Sequence, residues 1–217
     1  MLITVVFVAG IASCTIAFSQ TALFTHGITT AATIIGVMMY ATLTASLSLP
    51  LGFRGDVDHI DWLKSLPIKP LAVAAGEVLG PTLFMSLLNI AVFIPASLVV
   101  TPPWIMLVAA VCVPPAMLLL FAVDNLAFTL YPVRQTPTNP GDLQFVGFQM
   151  AHTLLKLLLI GLTTIPVTVV GAVARFVGGV WCSIPAMWVT AVGVGIVMIQ
   201  MIARGFERFD PATDTPA

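Results

Sequence analysis

The sequence predicts an all-α, polytopic integral membrane bundle of about six transmembrane helices. It also predicts a short amphipathic cytoplasmic helix between the second and third spans. Three observations support this class: 59% of the 217 residues are hydrophobic, only 8% are charged, and the charges avoid four long runs. Residues 1–53, 78–123, 157–174 and 176–203 contain no Asp, Glu, Lys or Arg. Since an ordinary soluble domain has roughly 25% charged residues, a soluble enzyme is excluded.

The charge-free runs divide into segments of about 20 residues, the length that crosses ~30 Å of hydrocarbon as a helix. The first run holds two spans, separated by the polar patch around His26. The second run also holds two, because the segment Thr101-Pro102-Pro103 cannot continue a helix. The last two runs hold one span each. The predicted spans are residues 2–19, 28–50, 72–100, 104–128, 150–174 and 179–203.

These spans form one predicted transmembrane domain over residues 1–209, and residues 210–217 are expected to be a disordered cytoplasmic tail. With six spans, seven of the eight basic residues share one side with both termini, and Arg175 alone lies on the other. Lys and Arg in short loops favour the cytoplasmic side of a membrane. The sequence therefore predicts a multi-pass protein of the cytoplasmic (plasma) membrane with both termini cytoplasmic.

The loop between the second and third spans carries the most informative charges. Seven of the chain's seventeen charged residues lie between Arg54 and Glu77. The predicted helix has acidic residues in its first turn and Lys64 in its last turn, an order that suits the helix dipole, and Pro67 ends it. Its apolar side consists of Val57, Ile60 and Leu63, and Trp62 and Leu66 are further candidates for that side. Such a helix either lies on the lipid surface or docks into another protein.

Four ionisable residues fall at the cytoplasmic ends of the predicted spans, namely Glu77, Asp124, His152 and Lys156. Charged groups inside a span are costly, so they pair or reach the interface unless they serve a substrate or proton pathway. Since all four lie near one interface and none at mid-depth, we favour the structural interpretation. In it, Lys156 forms an ion pair with Glu77 or Asp124.

Motifs for catalysis and nucleotide binding are absent from the sequence. It contains no G-x-x-x-x-G-K-[ST], no H-E-x-x-H and no G-x-S-x-G. The three cysteines lie inside apolar runs, and the three histidines are scattered over different predicted segments. With a net charge of −1 there is no basic patch for nucleic acid. We therefore predict no catalytic residue, no metal site and no cofactor bound by this chain.

Two segments resemble a known family. The first is Arg54-Gly-Asp-x-Asp, followed by Asp61-Trp-Leu-Lys-Ser-Leu-Pro-Ile-Lys-Pro and then Gly76-Glu77. The second is Asp124-Asn125-Leu-Ala-Phe-Thr-Leu-Tyr-Pro-Val-Arg134, followed by Gly141-Asp142. Together they resemble the membrane permeases of ABC exporters of the ABC-2 type. The matches cover about residues 50–155, and because family members are longer, the resemblance implies the C-terminal part of a permease.

The resemblance implies a transmembrane permease subunit that exports a substrate, driven by a separate ABC ATP-binding subunit that holds ATP and Mg²⁺. It further implies a second six-helix permease half or a homo-oligomer, surrounded by membrane lipids. The residues expected to couple to the ATPase are Asp56, Val57, Asp58, Ile60, Asp61, Trp62, Leu63, Lys64, Leu66 and Pro67. Two alternatives stay open: a stand-alone secondary carrier that uses the charged residues at the membrane border, and a non-transporting or enzymatic membrane protein.

Overall fold

The computed structural model describes residues 27–49, 51–55, 60–132 and 143–209. Within these residues the chain forms the helices α1 Gly27–Ser48, α2 Ile60–Ser65, α3 Pro70–Ala96, α4 Trp104–Leu130, α5 Leu143–Gly178 and α6 Val180–Arg208. A short 3-10 helix, Gly52–Arg54, lies between α1 and α2. The predicted all-α class is confirmed.

Four helices of the described part are long and apolar enough to cross a membrane: Pro70–Ala96, Trp104–Leu130, Val146–Gly178 and Val180–Arg208. The chain is therefore a multi-pass membrane protein. Helix α1 has 22 residues and contains the apolar segment Thr30–Ser46. The predicted span 2–19 and the tail 210–217 lie outside the described residues.

The helix boundaries follow the proline and glycine signals of the sequence. Helix α3 begins at Pro70, a position where a missing N–H removes no helical hydrogen bond. The segment Thr101-Pro102-Pro103 separates α3 from α4, as predicted. Gly179 separates α5 from α6 with a φ of +77°, a left-handed backbone conformation that favours glycine. The last two spans are thus joined by a very tight connection.

Helix α5 is longer than predicted, since it runs over Leu143–Gly178 instead of 150–174. The prediction placed its start close to the first charge of the span, Lys156. Nothing in residues 143–155 breaks a helix, because that stretch contains no proline and only one glycine. The helix therefore begins earlier than the hydrophobic pattern alone indicates.

Hydroxyl groups in the apolar helices hydrogen-bond to the backbone of their own helix. Thr42 Oγ1 donates to the carbonyl of Met38 at 2.8 Å, and Thr163 Oγ1 donates to the carbonyl of Leu159 at 2.8 Å. Thr82 and Thr190 donate in the same way, each to the residue four positions earlier. In hydrocarbon, where no water can pair with a hydroxyl, this local bond allows Thr to occupy a span.

The described residues form two compact units. Unit 1 contains residues 27–49 and 84–114, and unit 2 contains residues 51–55, 60–83, 115–132 and 143–209. In unit 1 the side chains of Thr42 and Asn89 join α1 to the later half of α3. Asn89 Nδ2 donates to Thr42 Oγ1 at 3.1 Å and to the carbonyl of Met85 at 2.8 Å. Such interhelical polar contacts hold helices together where the hydrophobic effect does not.

Unit 2 is built on the antiparallel pair α5 and α6 and on the later half of α4. Close approach is possible at Gly195 of α6, where a Cβ would lie 2.7 Å from Leu118 Cδ2 of α4. The residues of α4 from Phe121 to Phe128 are all buried. Consequently this stretch of α4, which includes Asp124 and Asn125, lies inside unit 2.

Candidate functional site

The buried charged residues of unit 2 form the first part of the candidate site. Lys156 Nζ of α5 lies 2.8 Å from Asp124 Oδ1 of α4, and the two side chains are only 1% and 2% exposed. Asp124 is thus one of the two partners that the sequence predicted for Lys156. At this distance the contact is a charge-assisted ion pair in a buried environment.

The ion pair lies within the long helices α4 and α5, away from their far ends. Asp124 is about 20 helical residues from the start of α4, and Lys156 is about 20 from the end of α5, which correspond to ~30 Å at 1.5 Å per residue. Each residue is therefore about one hydrocarbon thickness from the far end of its helix. Such a position is typical of charges at the boundary between hydrocarbon and headgroups.

His152 lies one helical turn before Lys156 and is equally buried. Its Nδ1 donates to the backbone carbonyl of Tyr131, just after α4, at 3.2 Å. The rings of Tyr131 and Phe148 are also in contact, with centroids 6.2 Å apart. These contacts fix the start of α5 against the end of α4. The predicted residues Asp124, His152 and Lys156 are thus brought together at one end of unit 2, while Glu77 on α3 is half-buried.

A second group of residues, which we call the loop junction, consists of Phe53, Lys64, Asn125, Phe206 and Phe209. Asn125 Oδ1 accepts a hydrogen bond from the backbone N–H of Phe53 at 2.9 Å, and Asn125 Nδ2 donates to the carbonyl of Phe121 at 2.9 Å. The ring of Phe53 is stacked on that of Phe206, with centroids 5.1 Å apart and an interplanar angle of 21°. The 3-10 helix therefore contacts both α4 and α6.

Helix α2 joins the same junction through Lys64. Its ammonium group donates to the backbone carbonyl of Phe209, just after α6. The Lys64 Nζ atom also lies 5.6 Å from the centroid of the Phe206 ring, within the range of a cation–π interaction. On the other side, the rings of Phe128 and Phe209 have centroids 5.7 Å apart. The loop that precedes α3 is thus attached to the ends of α4 and α6.

The predicted coupling residues do not form one exposed apolar side of a helix, because some are buried and others are exposed. Ile60 is fully buried in unit 2, and Leu63 and Leu66 are half-buried. Trp62 is 63% exposed, and Ile68 and Leu71 are also exposed. Pro67 and Lys64 are exposed as well, whereas Asp56, Val57 and Asp58 lie outside the described residues and the side chain of Asp61 is not described. Helix α2 is described over Ile60–Ser65, and residues 56–59, where the predicted amphipathic helix begins, lie outside the described residues.

Sequence reasoning did not select the residues that attach the loop to the helices. Asn125 lies in the second matching segment, but the sequence pattern assigns no role to it or to Phe53, Phe206 and Phe209. One signal was present: an Asn beside an Asp, both in a helix that is otherwise apolar. A polar amide that is buried in such a helix needs a partner.

The described residues contain no group of three or more His, Cys, Asp and Glu side chains that could hold a metal ion. At this end of unit 2 a buried ion pair lies in the same turn of α4 as the contact with the 3-10 helix. Comparisons of the chain with protein-family models, with curated proteins and with solved structures found no match.

Proposed function

We propose that this chain is the transmembrane permease subunit of an ABC-type exporter, in which a separate ATP-binding subunit supplies the energy. Two attachments carry the proposal: Lys64 joins α2 to the end of α6, and Phe53 joins the 3-10 helix to α4 and α6. A short helix of this kind, next to exposed apolar residues, provides a contact surface that is mechanically connected to membrane-spanning helices.

The proposed contact surface consists of Trp62, Ile68 and Leu71, with the exposed cation Lys69 beside them. It differs from the surface predicted from sequence, because Ile60 contacts its own chain and Trp62 is exposed instead. Trp is among the residues that most often dominate the energy of protein interfaces. The absence of a phosphate-binding G-x-x-x-x-G-K-[ST] motif from the sequence supports a division of labour with an ATP-binding subunit.

The proposal includes the finer features predicted from sequence. These are six spans, both termini in the cytoplasm, and a second permease half or a second copy of the chain. The outward direction of transport rests on the resemblance of the two segments alone.

The test is purification of the tagged chain from its native membranes in a mild detergent. We expect a stoichiometric subunit with a phosphate-binding loop, and vanadate-sensitive ATP hydrolysis that requires this chain. The Trp62→Ala variant should lose the subunit, whereas Leu98→Ala, at an 88% exposed residue of unit 1, should retain it. A folded wild-type chain that purifies without any ATP-binding subunit would contradict the proposal.

A second candidate function, a stand-alone secondary carrier, is favoured by one observation. Asp124 and Lys156 form a buried ion pair in a membrane protein, and intramembrane ionisable residues often serve ion pathways. Efflux of dyes from membrane vesicles separates the two candidates. A carrier would work in vesicles that contain this chain alone and would stop when the proton gradient is collapsed, whereas a permease would need ATP and its partner subunit.

A further inference from the structure

Asn125 makes hydrogen bonds to two separate parts of unit 2. Within α4, its Nδ2 donates to the carbonyl of Phe121 four residues earlier. Outside α4, its Oδ1 accepts the backbone N–H of Phe53, and its Nδ2 lies 3.5 Å from the backbone carbonyl of Glu77 on α3. The side chain is 2% exposed. Because water cannot reach it, these partners are the ones that satisfy its amide.

The backbone next to this amide fits it closely. Gly52 has a φ of +74°, and a Cβ at this position would lie 2.6 Å from Asn125 Nδ2 and 2.9 Å from Asn125 Cγ. Both the left-handed conformation and the lack of space therefore require glycine. The 3-10 helix is held against α4 by direct contact between its backbone and the Asn125 side chain.

Asn125 is also next to the buried ion pair in the sequence. Its neighbour Asp124 forms the buried ion pair with Lys156 of α5. One turn of α4 thus carries both the hydrogen bond to the loop and the charge that contacts α5. If the 3-10 helix is displaced and this turn of α4 moves with it, the ion pair moves as well.

Lys64 of α2 contacts Phe206 and Phe209 at the end of α6. The ring of Phe206 is stacked on Phe53, whose backbone N–H donates to Asn125, so a series of contacts leads from α2 to α4. We propose that Asn125 is a positioning residue that holds the 51–55 turn on α4, so that a force on α2 reaches α4 and the Asp124–Lys156 pair. This inference rests on the proposed function, because the force is that of an ATP-binding subunit on α2.

The first measurement tests the attachment in the chain alone. Spin labels are placed at Gly55, directly after the 3-10 helix, and at Leu130, at the end of α4, both exposed, in a variant whose cysteines are replaced by alanine. We expect one narrow distance distribution in lipid nanodiscs, and a broader one in the Asn125→Ala variant. The matched control is Asn89→Ala, since Asn89 is 1% exposed and makes the same bond to its own helix, 2.8 Å to Met85, but contacts no loop. An unchanged distribution in Asn125→Ala overturns the proposal.

The second measurement tests transmission in the complex with the ATP-binding subunit. Spin labels are placed at Leu130, at the end of α4, and at Val177, at the far end of α5. Both residues are exposed. ATP with vanadate should shift their distance in the wild type and in Asn89→Ala. The shift should be lost in Asn125→Ala, although the subunit remains bound through the Trp62 surface. A merely structural role of Asn125 would lower the folded yield and leave the shift in the folded fraction.

The outcomes separate the two proposals. Normal binding of the ATP-binding subunit with an unchanged shift in Asn125→Ala overturns the positioning role and leaves the proposed function intact. Failure of the wild type to bind any ATP-binding subunit contradicts the proposed function and the positioning role with it.

Discussion

Lys156 of α5 and Asp124 of α4 form an ion pair, with Nζ 2.8 Å from Oδ1, and both side chains are almost completely buried. Removing one of two buried charges is costly in free energy, because the remaining charge has neither water nor a counter-ion. The pair therefore joins two spans of unit 2. Removing one of its residues should lower the stability of the protein more than removing both.

The first prediction concerns this pair. Lys156→Met should destabilise the protein by about 3–5 kcal/mol, because it leaves the Asp124 carboxylate unpaired. Lys156→Met combined with Asp124→Asn should recover much of the loss, measured as thermal unfolding and monodisperse yield in detergent. Lys69→Met, at an exposed lysine, is the control and should behave like the wild type. A double variant no more stable than Lys156→Met would show that the pairing does not matter for stability.

The second prediction concerns Gly52. Gly52→Ala should destabilise unit 2 by about 1–3 kcal/mol, the cost of a non-glycine residue in a left-handed conformation, with a further contribution from the collision with Asn125. Gly80→Ala on α3 is the matched control, because a Cβ there meets no atom within 4 Å. Alanine in a helix is favoured over glycine by about 0.5–1 kcal/mol, so this control should be neutral or stabilising. Equal melting temperatures for the two variants would contradict the structure at this turn.

The third prediction separates the buried and exposed faces of α2. Ile60→Ala should lower the stability of the protein itself by about 2–5 kcal/mol, since it removes a fully buried side chain. Trp62→Ala should leave stability unchanged and weaken binding of the ATP-binding subunit by about 2 kcal/mol, or roughly 30-fold in Kd. Detergent melting curves and titration of the purified subunit provide the two readouts. Retention of full affinity by Trp62→Ala would favour a helix that serves the lipid surface.

The fourth prediction concerns orientation in the membrane. In a background without native cysteines, Ser65→Cys should be protected from an impermeant maleimide in intact cells, and Val177→Cys should react. The reason is that Ser65 lies in the loop with many charges, while Val177 lies beside Arg175, the one basic residue assigned to the outer side. Val177 is 86% exposed, so the reagent has access to that position. Reaction of Ser65→Cys in sealed cells would reverse the predicted orientation.

The helical class and the positions of four spans could be predicted from the sequence, because they depend on local properties. The lack of charge in runs of about 20 residues is a property of the sequence alone, and Pro102-Pro103 lies at a helix break. Other prolines, such as Pro166 and Pro185, lie inside helices. The break at Thr101-Pro102-Pro103 and the last connection, at 178–180, were placed within a few residues. Helix α5 begins seven residues before the predicted span, at Leu143, because no residue between 143 and 150 stops it.

The sequence also limited the partner of Lys156 to two carboxylates, Glu77 and Asp124. Only the tertiary structure showed the pair with Asp124, since that contact depends on how α4 and α5 are rotated about their own axes. The same applies to α2. Its pattern indicated one apolar side, but which apolar residue is buried depends on the surface that it meets, and unit 2 buries Ile60 and leaves Trp62 exposed. Asn125 acquires its partner, the backbone of Phe53, from 72 residues away in the chain, a distance at which no local pattern carries information.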